Sequence, residues 1–499
     1  MNASDSSART AWPRHLPALS AETFDVLVVG GGIQGATIAW AAARRGLRTA
    51  AIDAADWGAG ASANSLKIIH GGLRYLQHAN LVRMRESIRA RRRIQRLAPE
   101  TVVPLACIMP GRGWGLRHPA ALLAALTANA LLSADRNRGV PPGRFLPAGR
   151  LISRAGLESR VPAGRFRDET GGMVWHDAIA QDIDRLTLAF VQAAAARGAV
   201  AANYVRALRW RQEGTRIAGA EAVDALTGAP LEIRARQVVC AAGPGAGPLA
   251  PGAGAARWVK AINLVLKKKL VEDCALAIAS KAASYDSQAV IQRGHRNFFV
   301  VPWQNGTLFG TFYVSYDPAQ DPLAATESEI AEFVRQINET GFFAPLAMAD
   351  VCRAHAGAQA AGAQATEPAA NTKIVPPAPG LWIVQGVKYT TALETADEVA
   401  DILAPRSVRP ADEPFPWREA PADLDQLVAQ AVREEMAVRL EDVVLRRSQL
   451  GAFGLPERAT LARCAQAMAG LLGWDERRRA EEIDTLLAAH RRPGAAANG

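Results

Sequence analysis

Three glycines and one carboxylate, at a spacing that suits a nucleotide, are the first candidates for chemistry in this sequence. Residues 26–29 are apolar and lead into Gly30-Gly31-Gly32-Ile33-Gln34-Gly35, after which an Ala-rich segment and a second apolar run end at Asp53. Gly30 permits a tight turn, Gly32 lets the backbone approach a pyrophosphate, and Gly35 lets a helix pack against the strand. Asp53 stands about twenty residues beyond the turn, where a carboxylate accepts ribose hydroxyls. The pattern predicts a dinucleotide-binding βαβ unit, for either NAD or FAD.

A second run of small residues follows this unit. Residues 58–65 are Gly, Ala, Ser and Asn, and they precede Lys67-Ile68-Ile69-His70-Gly71-Gly72-Leu73-Arg74-Tyr75. Small residues and paired glycines allow the backbone to lie flat against a large planar ligand. A late strand and glycine turn, 380–391, leads into a helix start capped by threonine. In a doubly wound sheet this turn returns to the mouth of the first domain.

The elements that must position these groups follow from hydrophobic periodicity. Short strands joined by turns predict an antiparallel sheet inserted in an α/β frame, at 262–270, 289–292, 297–302 and 307–316. Further strands are expected at 173–177, 200–210, 216–225 and 231–240, with helices at 182–197 and 327–340. Residues 354–370 carry little structural signal, and about four short helices are expected in 424–490.

Two further helices have a bearing on partners. Residues 80–97 predict a surface helix whose arginines are mostly solvated. Pro119 begins a short, very apolar helix within 114–132. Two alternatives remain for that helix: burial in a core, or shallow insertion into a membrane interface between Arg112, Arg117, Arg136 and Arg138.

Composition excludes several classes of protein. The chain has 499 residues, of which 49% are hydrophobic and 21% charged, so it is globular and large enough for about two or three domains. Its net charge of +10 reflects either genomic base composition or a basic face that meets anionic lipid or an acidic substrate. Nucleic acid is not an expected partner, because no recognition motif accompanies the charge.

The cysteines indicate a reducing compartment. Five cysteines lie far apart, without a CxxC pair or metal-ligand spacing, so we expect neither disulfides nor a metal site. Residues 1–22 resemble a flexible leader rather than a signal peptide. No apolar run reaches the length of about twenty residues that spans a bilayer. Any membrane contact is therefore expected to be peripheral.

Three blocks of sequence resemble the flavin-dependent, quinone-linked glycerol-3-phosphate dehydrogenases, which have a D-amino-acid-oxidase-like fold. The first is VVGGGIQGA with SANSLKIIHGGLRYL. The second combines Val301-Pro302-Trp303, Gly310-Thr311 and a G-x-K-x-T-T turn that starts at Gly386. The third is EEMAVRLEDVVLRRSQL with LGWDERRRAEEI, in the helical tail. The likeness covers residues 24–490 and is most specific in IHGGLRYL and in the tail.

The resemblance implies that FAD binds non-covalently and that different motifs bind different parts of it. The pyrophosphate would lie on the glycine turn, the adenosine ribose on Asp53, and the flavin beside the serine-rich loop. The implied cofactor-binding residues are Gly30, Gly32, Ile33, Gln34, Gly35, Asp53, Ser62, Asn64, Ser65, Lys67, Gly71, Gly243, Gly386, Lys388 and Thr390. The implied reaction transfers hydride from a C–OH substrate to flavin N5, and electrons then pass to a quinone or another acceptor at the membrane.

Catalysis of that reaction needs a base within hydrogen-bond reach and cations that hold an anionic substrate. His70, Arg74, Tyr75 and Lys388 supply these groups. His70 can serve in two ways, because a histidine before two glycines either orients the flavin or takes the proton.

The expected substrate-specificity residues are Thr311, Phe312, Gln359 and Ala392, and three segments around them depart from the family. Gln359 replaces an arginine of a G-V-R-P-L segment, and glutamine cannot form a bidentate charged pair with phosphate. Phe312 and Tyr313 follow Gly310-Thr311 where the family has G-T-T-D, and Ala392-Leu393 replaces Tyr-Arg. Loss of one charge-assisted contact costs about 2 kcal/mol or more. The substrate is therefore glycerol 3-phosphate or a less charged or larger molecule; an amine or amino-acid oxidase and a flavin-binding homologue without turnover are the alternatives.

The expected fold is α/β, with a Rossmann-like FAD-binding domain, an inserted antiparallel-β substrate domain and a C-terminal helical domain. The FAD-binding domain is expected within 23–405, as about 23–110, 165–255 and 372–405, the substrate domain at about 256–371 and the helical domain at 422–490. We expect a cytoplasmic protein, peripheral on the inner face of the cytoplasmic membrane.

Overall fold

The computed structural model describes residues 14–490, with gaps at 114, 250–256, 284–294, 363–366 and 387. Its α-helices are α1 (Leu16–Ala21), α2 (Ile33–Ala43), α3 (Leu81–Leu97), α4 (Pro119–Leu132), α5 (Arg154–Arg160), α6 (Ile183–Ala195), α7 (Glu327–Thr340), α8 (Ala392–Leu403), α9 (Leu424–Glu434), α10 (Arg458–Leu472) and α11 (Glu476–Ala489). A short 3₁₀-helix spans Leu73–His78 and a π-helix spans Asp442–Arg447.

Within the described residues the strands form two sheets. They are β1 (Thr23–Val29), β2 (Thr49–Ile52), β3 (Ile68–Ile69), β4 (Val102–Arg112), β5 (Arg150–Ser153), β6 (Glu169–Ala180), β7 (Val200–Ala202), β8 (Val205–Glu213), β9 (Arg216–Asp224), β10 (Pro230–Cys240), β11 (Trp258–Leu266), β12 (Cys274–Ala283), β13 (His295–Trp303), β14 (Gly306–Tyr316), β15 (Val351–Ala360), β16 (Lys373–Ala378) and β17 (Leu381–Gln385).

The first sheet has the order β16-β17-β10-β1-β2-β7, with β9 beside β10 and β8 beside β9. β1 is parallel to both β10 and β2, and β10–β17 and β2–β7 are also parallel. The central strand β1 is covered on both faces, since its residues 26–28 are fully buried. Helix α2 packs against α6 and α8, so the first glycine turn and the turn before α8 meet at one edge of the sheet. This confirms the predicted Rossmann-like unit.

The second sheet has the order β15-β11-β14-β13-β12-β4-β6-β3, with β5 beside β6. Its paired strands are antiparallel except β12 and β4, which are parallel. Phe333 of α7 packs against Phe298 and Phe309, with ring centroids 5.3 and 6.1 Å away. The predicted antiparallel sheet is present, and helix 327–340 closes its outer face.

This sheet differs from the predicted one in its membership. β4 and β6 precede residue 256, so the predicted insertion, 256–371, supplies only part of it. β15 lies where the sequence carried little signal; it pairs with β11 along its whole length, and this pairing outweighs the weak strand propensity of Ala, Gly and Gln. The strand β12 was not predicted, and the strand predicted at 289–292 lies outside the described residues. The domain boundaries remain a prediction.

Part of the predicted flexible leader is ordered. Helix α1 forms inside it, and Leu19 is fully buried. Arg14 donates to the Asp224 carboxylate at 2.5 Å. The expectation of a flexible leader is therefore wrong for 14–22, because these residues bury an apolar side chain and a paired charge; residues 1–13 lie outside the described part.

The arginines of α3 are not mostly solvated, as the sequence predicted. Arg91 is buried against Asp177, Arg92 binds Asp135, and Arg93 binds Asp397 and Asp412. The positions that looked like a solvated face meet carboxylates from distant segments, which periodicity within the helix does not reveal.

Helix α4 is only partly buried. Leu122 and Leu126 are 3% and 4% exposed, whereas Leu123 and Leu131 are 53% and 75% exposed. The alternative of burial in a core therefore holds only for the side of α4 that carries Leu122 and Leu126. In the described part of the chain, no helix combines the length and apolarity needed to cross a membrane.

The C-terminal helices α9, α10 and α11 and the π-helix share their own apolar core, which includes Val428, Val443, Leu461 and Met468. The predicted four helical segments are present in 424–490. Phe415, in the preceding Pro-rich connection, packs edge to face against Phe190 at 4.8 Å, so this connection is fastened to the first sheet's helices.

Candidate functional site

The glycine turn between β1 and α2 has no room for side chains. A Cβ on Gly35 would lie 1.7 Å from the Gly30 carbonyl oxygen, and Gly30 itself has a φ of +111°. Asp53, just after β2, accepts hydrogen bonds from the N–H groups of Gly31 and Ala55. Burial raises the pKa of Asp53 to about 6. A carboxylate has more acceptor sites than these two bonds use, so Asp53 can also accept ribose hydroxyls.

The start of α2 and the end of β10 form the two sides of a cradle. Ser62 Oγ accepts from the Ile33 N–H at 2.8 Å, which ties the serine-rich loop to the helix N-terminus. On the other side, Gly243 has a φ of +56° and no atom within 4 Å of its Cβ position. Helix donors and space without side chains fit the pyrophosphate of a dinucleotide, and an acid with spare acceptor sites lies beside them.

The late turn reaches the same edge. Gln34 donates from Nε2 to the Lys388 carbonyl at 3.0 Å, and a Cβ on Gly386 would lie 2.4 Å from Gln34 Cδ. Thr391 is the N-cap of α8 but forms no side-chain capping hydrogen bond, so that part of the prediction is wrong. Thr390 is buried in this turn.

His70 and its glycines rest on a buried ion pair that the sequence did not reveal. Asp177 of β6 accepts from the Gly71 N–H at 2.5 Å and from Trp175 Nε1 at 2.9 Å. Arg91 of α3 binds the same carboxylate. A Cβ on Gly71 would lie 2.4 Å from Arg91 Nη1, so only glycine allows the turn to sit on this pair. A lone acid inside an apolar strand was the available signal.

The four predicted catalytic residues come together. Lys388 Nζ lies 4.4 Å from the centroid of the Tyr75 ring. Burial, and then the charge of Lys388, lower the pKa of His70 to about 4, and Arg74 acts in the same direction. Burial and Arg74 lower the pKa of Lys388 to about 8. The group is a neutral imidazole among cations, which suits an anionic substrate.

Tyr313 joins this group although sequence reasoning did not select it. Burial raises its pKa, and the charges of Arg74 and Arg296 act against that shift. The Arg296 guanidinium lies 5.5 Å from its ring centroid and binds Glu367 at 3.0 Å. Tyr313 shares a strand face with Thr311, whose Oγ1 donates to Asn263 Oδ1 at 2.8 Å. Strand alternation was the signal that could have found it.

Two predicted specificity residues point elsewhere. Phe312 stacks on Phe333 at 5.2 Å in the core under α7, because adjacent strand residues face opposite sides. Ala392 is 1% exposed in the core cluster that also contains residues of α2 and α8. Phe312 and Ala392 are therefore not substrate contacts, and these two predictions are wrong. Gln359 shares a face of β15 with Gly357, where a Cβ would lie 2.9 Å from Ala61 Cα, so it remains a candidate.

The serine-rich loop is internally bonded. Lys67, with a φ of 62°, donates from Nζ to the Ala63 carbonyl at 3.0 Å and lies over the Trp303 ring. Ser65 Oγ accepts from the Lys67 N–H at 3.2 Å, and Asn64 donates to the Gly60 carbonyl at 3.0 Å. In the structure these three predicted flavin contacts hold the loop in shape. All five cysteines are buried and unpaired.

Comparison with known proteins identifies the family. The model of the FAD dependent oxidoreductase family matches residues 25–403, well over half of the chain. The chain belongs to the FAD-dependent oxidoreductase family. A second model, the C-terminal domain of alpha-glycerophosphate oxidase, matches residues 394–479. FAD is thus the cofactor, in agreement with the cradle described above.

Individual relatives agree. A glycerol-3-phosphate dehydrogenase of Mycobacterium leprae is 27% identical over 96% of this chain and 89% of its own length. Among solved structures, the glycerol-3-phosphate dehydrogenase from Bacillus halodurans complexed with FAD superposes with a TM-score of 0.70 at 19% identity, over 97% of this chain and 98% of that one. Glycine oxidase from Geobacillus kaustophilus reaches a TM-score of 0.50 at 17% identity over 78% of this chain and 96% of that one. Because the sequence identities to these two solved structures are only 19% and 17%, the superpositions show a shared fold and nothing more.

Proposed function

We propose that this FAD-dependent oxidoreductase is a dehydrogenase that oxidises a C–OH group of glycerol 3-phosphate or of a closely related anionic alcohol. The observation that carries the proposal is the convergence of His70, Lys388, Arg74 and Tyr75. In the proposed placement the FAD pyrophosphate lies on residues 30–35 and the ribose on Asp53. The flavin lies beside the loop that ends at Gly71, with Gly243 and the turn of Gly386, Lys388 and Thr390 closing the site.

His70 is the proposed base. Its pKa of about 4 keeps the imidazole neutral at pH 7, so it can accept the proton of the substrate hydroxyl. The cations Lys388 and Arg74 hold the substrate anion and stabilise the developing alkoxide. When bound, FAD supplies the hydride acceptor. Asp177 keeps the His70–Gly72 turn in place through the Gly71 N–H.

Anaerobic addition of glycerol 3-phosphate to the purified yellow protein tests the substrate. We expect the oxidised flavin absorption band to bleach. An unbleached band would reject glycerol 3-phosphate, and release of ammonia from an amino acid would instead support the amine-oxidase alternative.

Gln359→Arg introduces the arginine that the sequence resemblance implies at this position. A charge-assisted hydrogen bond contributes about 1.5–3 kcal/mol, so kcat/KM for glycerol 3-phosphate is expected to rise about tenfold or more. Gln359→Lys is the matched control, because it adds the same charge without the bidentate geometry. An unchanged kcat/KM in both variants would place the phosphate elsewhere.

Electron transfer to a quinone at the inner face of the cytoplasmic membrane is the second part of the proposal. Exposed Leu116, Leu123 and Leu131, near Arg112 and Arg117, give α4 and its surroundings the apolar and basic character of an interfacial helix. Flotation with anionic phosphatidylglycerol vesicles tests whether this surface binds the membrane. We expect Leu123→Asp with Leu131→Asp to abolish binding; a variant that still floats would refute this surface.

A further inference from the structure

A buried ion cluster joins the C-terminal helical domain to the loop after β2. Asp56 in that loop is fully buried, and Arg447 binds it through two N–H groups at 2.7 and 2.8 Å. Arg446 Nε and Asn203 Nδ2 add donors at 2.7 and 2.8 Å. The two arginines stand 390 and 391 positions further along the chain. The far end of the chain therefore holds this loop in position.

Arg446 and Arg447 also bind other residues of the C-terminal domain. Arg446 binds Glu441 and Asp442 at 2.7 Å. Arg447 donates to the Glu435 carbonyl at 3.0 Å from Nε and 2.8 Å from Nη2. The C-terminal domain thus presents two guanidinium groups in a set geometry, and Asp56 cannot move without losing charge-assisted bonds.

The loop that Asp56 anchors carries two groups of the cofactor cradle. Asp53 lies three positions before it and binds the Gly31 N–H. Trp57, the next residue, is buried against Gly31, where a Cβ would lie 2.3 Å from a ring carbon. The Gly58 N–H also donates to the Gly31 carbonyl at 2.9 Å. A displaced Asp56 would therefore shift both the ribose acid and the glycine turn.

We propose that Arg446 and Arg447 are positioning residues for FAD, through which the C-terminal domain sets the affinity for the adenosine half of the cofactor. They act by holding Asp56, and through it the Asp53 carboxylate and the Gly31 backbone. The inference rests on the proposed placement of the ribose at Asp53.

Arg447→Lys tests it, because lysine keeps the charge and loses the bidentate bond. We expect the Kd of the apoprotein for FAD, and for ADP as the adenosine-half probe, to rise about tenfold, a change worth about 1.4 kcal/mol. The Kd for riboflavin, which lacks the adenosine half, stays within about twofold. Titration by flavin fluorescence and calorimetry measures all three.

Arg93→Lys is the matched control. Arg93 binds Asp412 and Asp397 with a side chain that is 15% exposed, and it fastens the connection before α9 away from the 53–57 loop. We expect this variant to lower the Tm of the apoprotein and to leave the FAD and ADP Kd unchanged. Equal weakening in Arg93→Lys and Arg447→Lys would show a general loss of stability and overturn the proposal.

A second variant covers the case in which Arg447→Lys does not fold. Asn203→Ala removes one donor to Asp56 without leaving a buried charge, and we expect ADP and FAD affinity to fall about threefold. Unchanged affinity for both ligands in a folded variant would overturn the proposal. Because binding is measured without turnover, a wild-type protein that binds FAD and does not oxidise glycerol 3-phosphate rejects the proposed substrate alone.

Discussion

His70 sits in a setting that should contribute to the pH dependence of the protein's stability, and one substitution removes that contribution. Burial, and then the charge of Lys388, lower its pKa from 6.5 to about 4. The unfolded chain therefore binds a proton near pH 6.5, whereas the folded chain binds it only near pH 4. Since the unfolded state binds more protons in this window, the free energy of unfolding falls as the pH drops through it.

The size of the effect follows from these two pKa values. Between pH 7 and pH 5 the unfolded imidazole becomes protonated and the folded one stays mostly neutral, which corresponds to about 2 kcal/mol. The residue as a whole is of intermediate exposure, so solvent screening reduces the expected loss to about 1–2 kcal/mol. His70→Gln keeps a polar side chain that does not titrate, and this variant should lack the loss.

Urea unfolding of the apoprotein at pH 7 and pH 5 measures the effect in the wild type, His70→Gln and His70→Asn. All other titrating groups are common to the three proteins, so the difference between their pH responses isolates His70. The wild type is expected to lose about 1–2 kcal/mol more than either variant. Equal losses within about 0.5 kcal/mol would refute a buried neutral imidazole, as would a larger loss in the variants.

Three further outcomes test the site. Asp177→Asn leaves Arg91, which is 4% exposed, without its counter-ion, so the free energy of unfolding in urea should fall by about 3 kcal/mol; a variant as stable as wild type would contradict the pair. Gly386→Ala brings a Cβ to 2.4 Å from Gln34 Cδ, so the FAD Kd, followed by flavin fluorescence, should rise about tenfold; an unchanged Kd would show that the Gln34 side chain moves aside. Lys388→Met removes a charge that lowers the pKa of His70, so the acid limb of kcat/KM should move to higher pH; an unmoved limb would exclude His70 as the base.

Local patterns predicted the parts of the site that lie within one supersecondary unit. The glycine turn and Asp53 could be placed because a βαβ unit brings residues about twenty apart together by itself. Helix 327–340 was clear from its amphipathic pattern, and about four short helices were expected in the tail. The resemblance in IHGGLRYL then correctly indicated FAD, which the family match at 25–403 confirms.

Side-chain direction in the second sheet was harder to predict. Phe312 was selected from the Phe312-Tyr313 pair, which stands where the family has Thr-Asp, yet its neighbour Tyr313 is the residue that faces Arg296. The strand β15 was missed because small residues carry little propensity, and its pairing with β11 is a contact between segments about ninety residues apart. Both errors come from interactions that no short window of sequence contains.

The sequence by itself determined the glycine cradle, which depends on residue types at short, regular spacings, and its resemblance to a known family indicated FAD. Only the tertiary structure showed that Arg91 and Asp177 support the His70 turn from below, and that Arg447 reaches Asp56 from the opposite end of the chain. The physical reason is that a buried charge must find its partner wherever the fold brings one within hydrogen-bond distance. That distance depends on how the elements cross, and not on their order in the sequence.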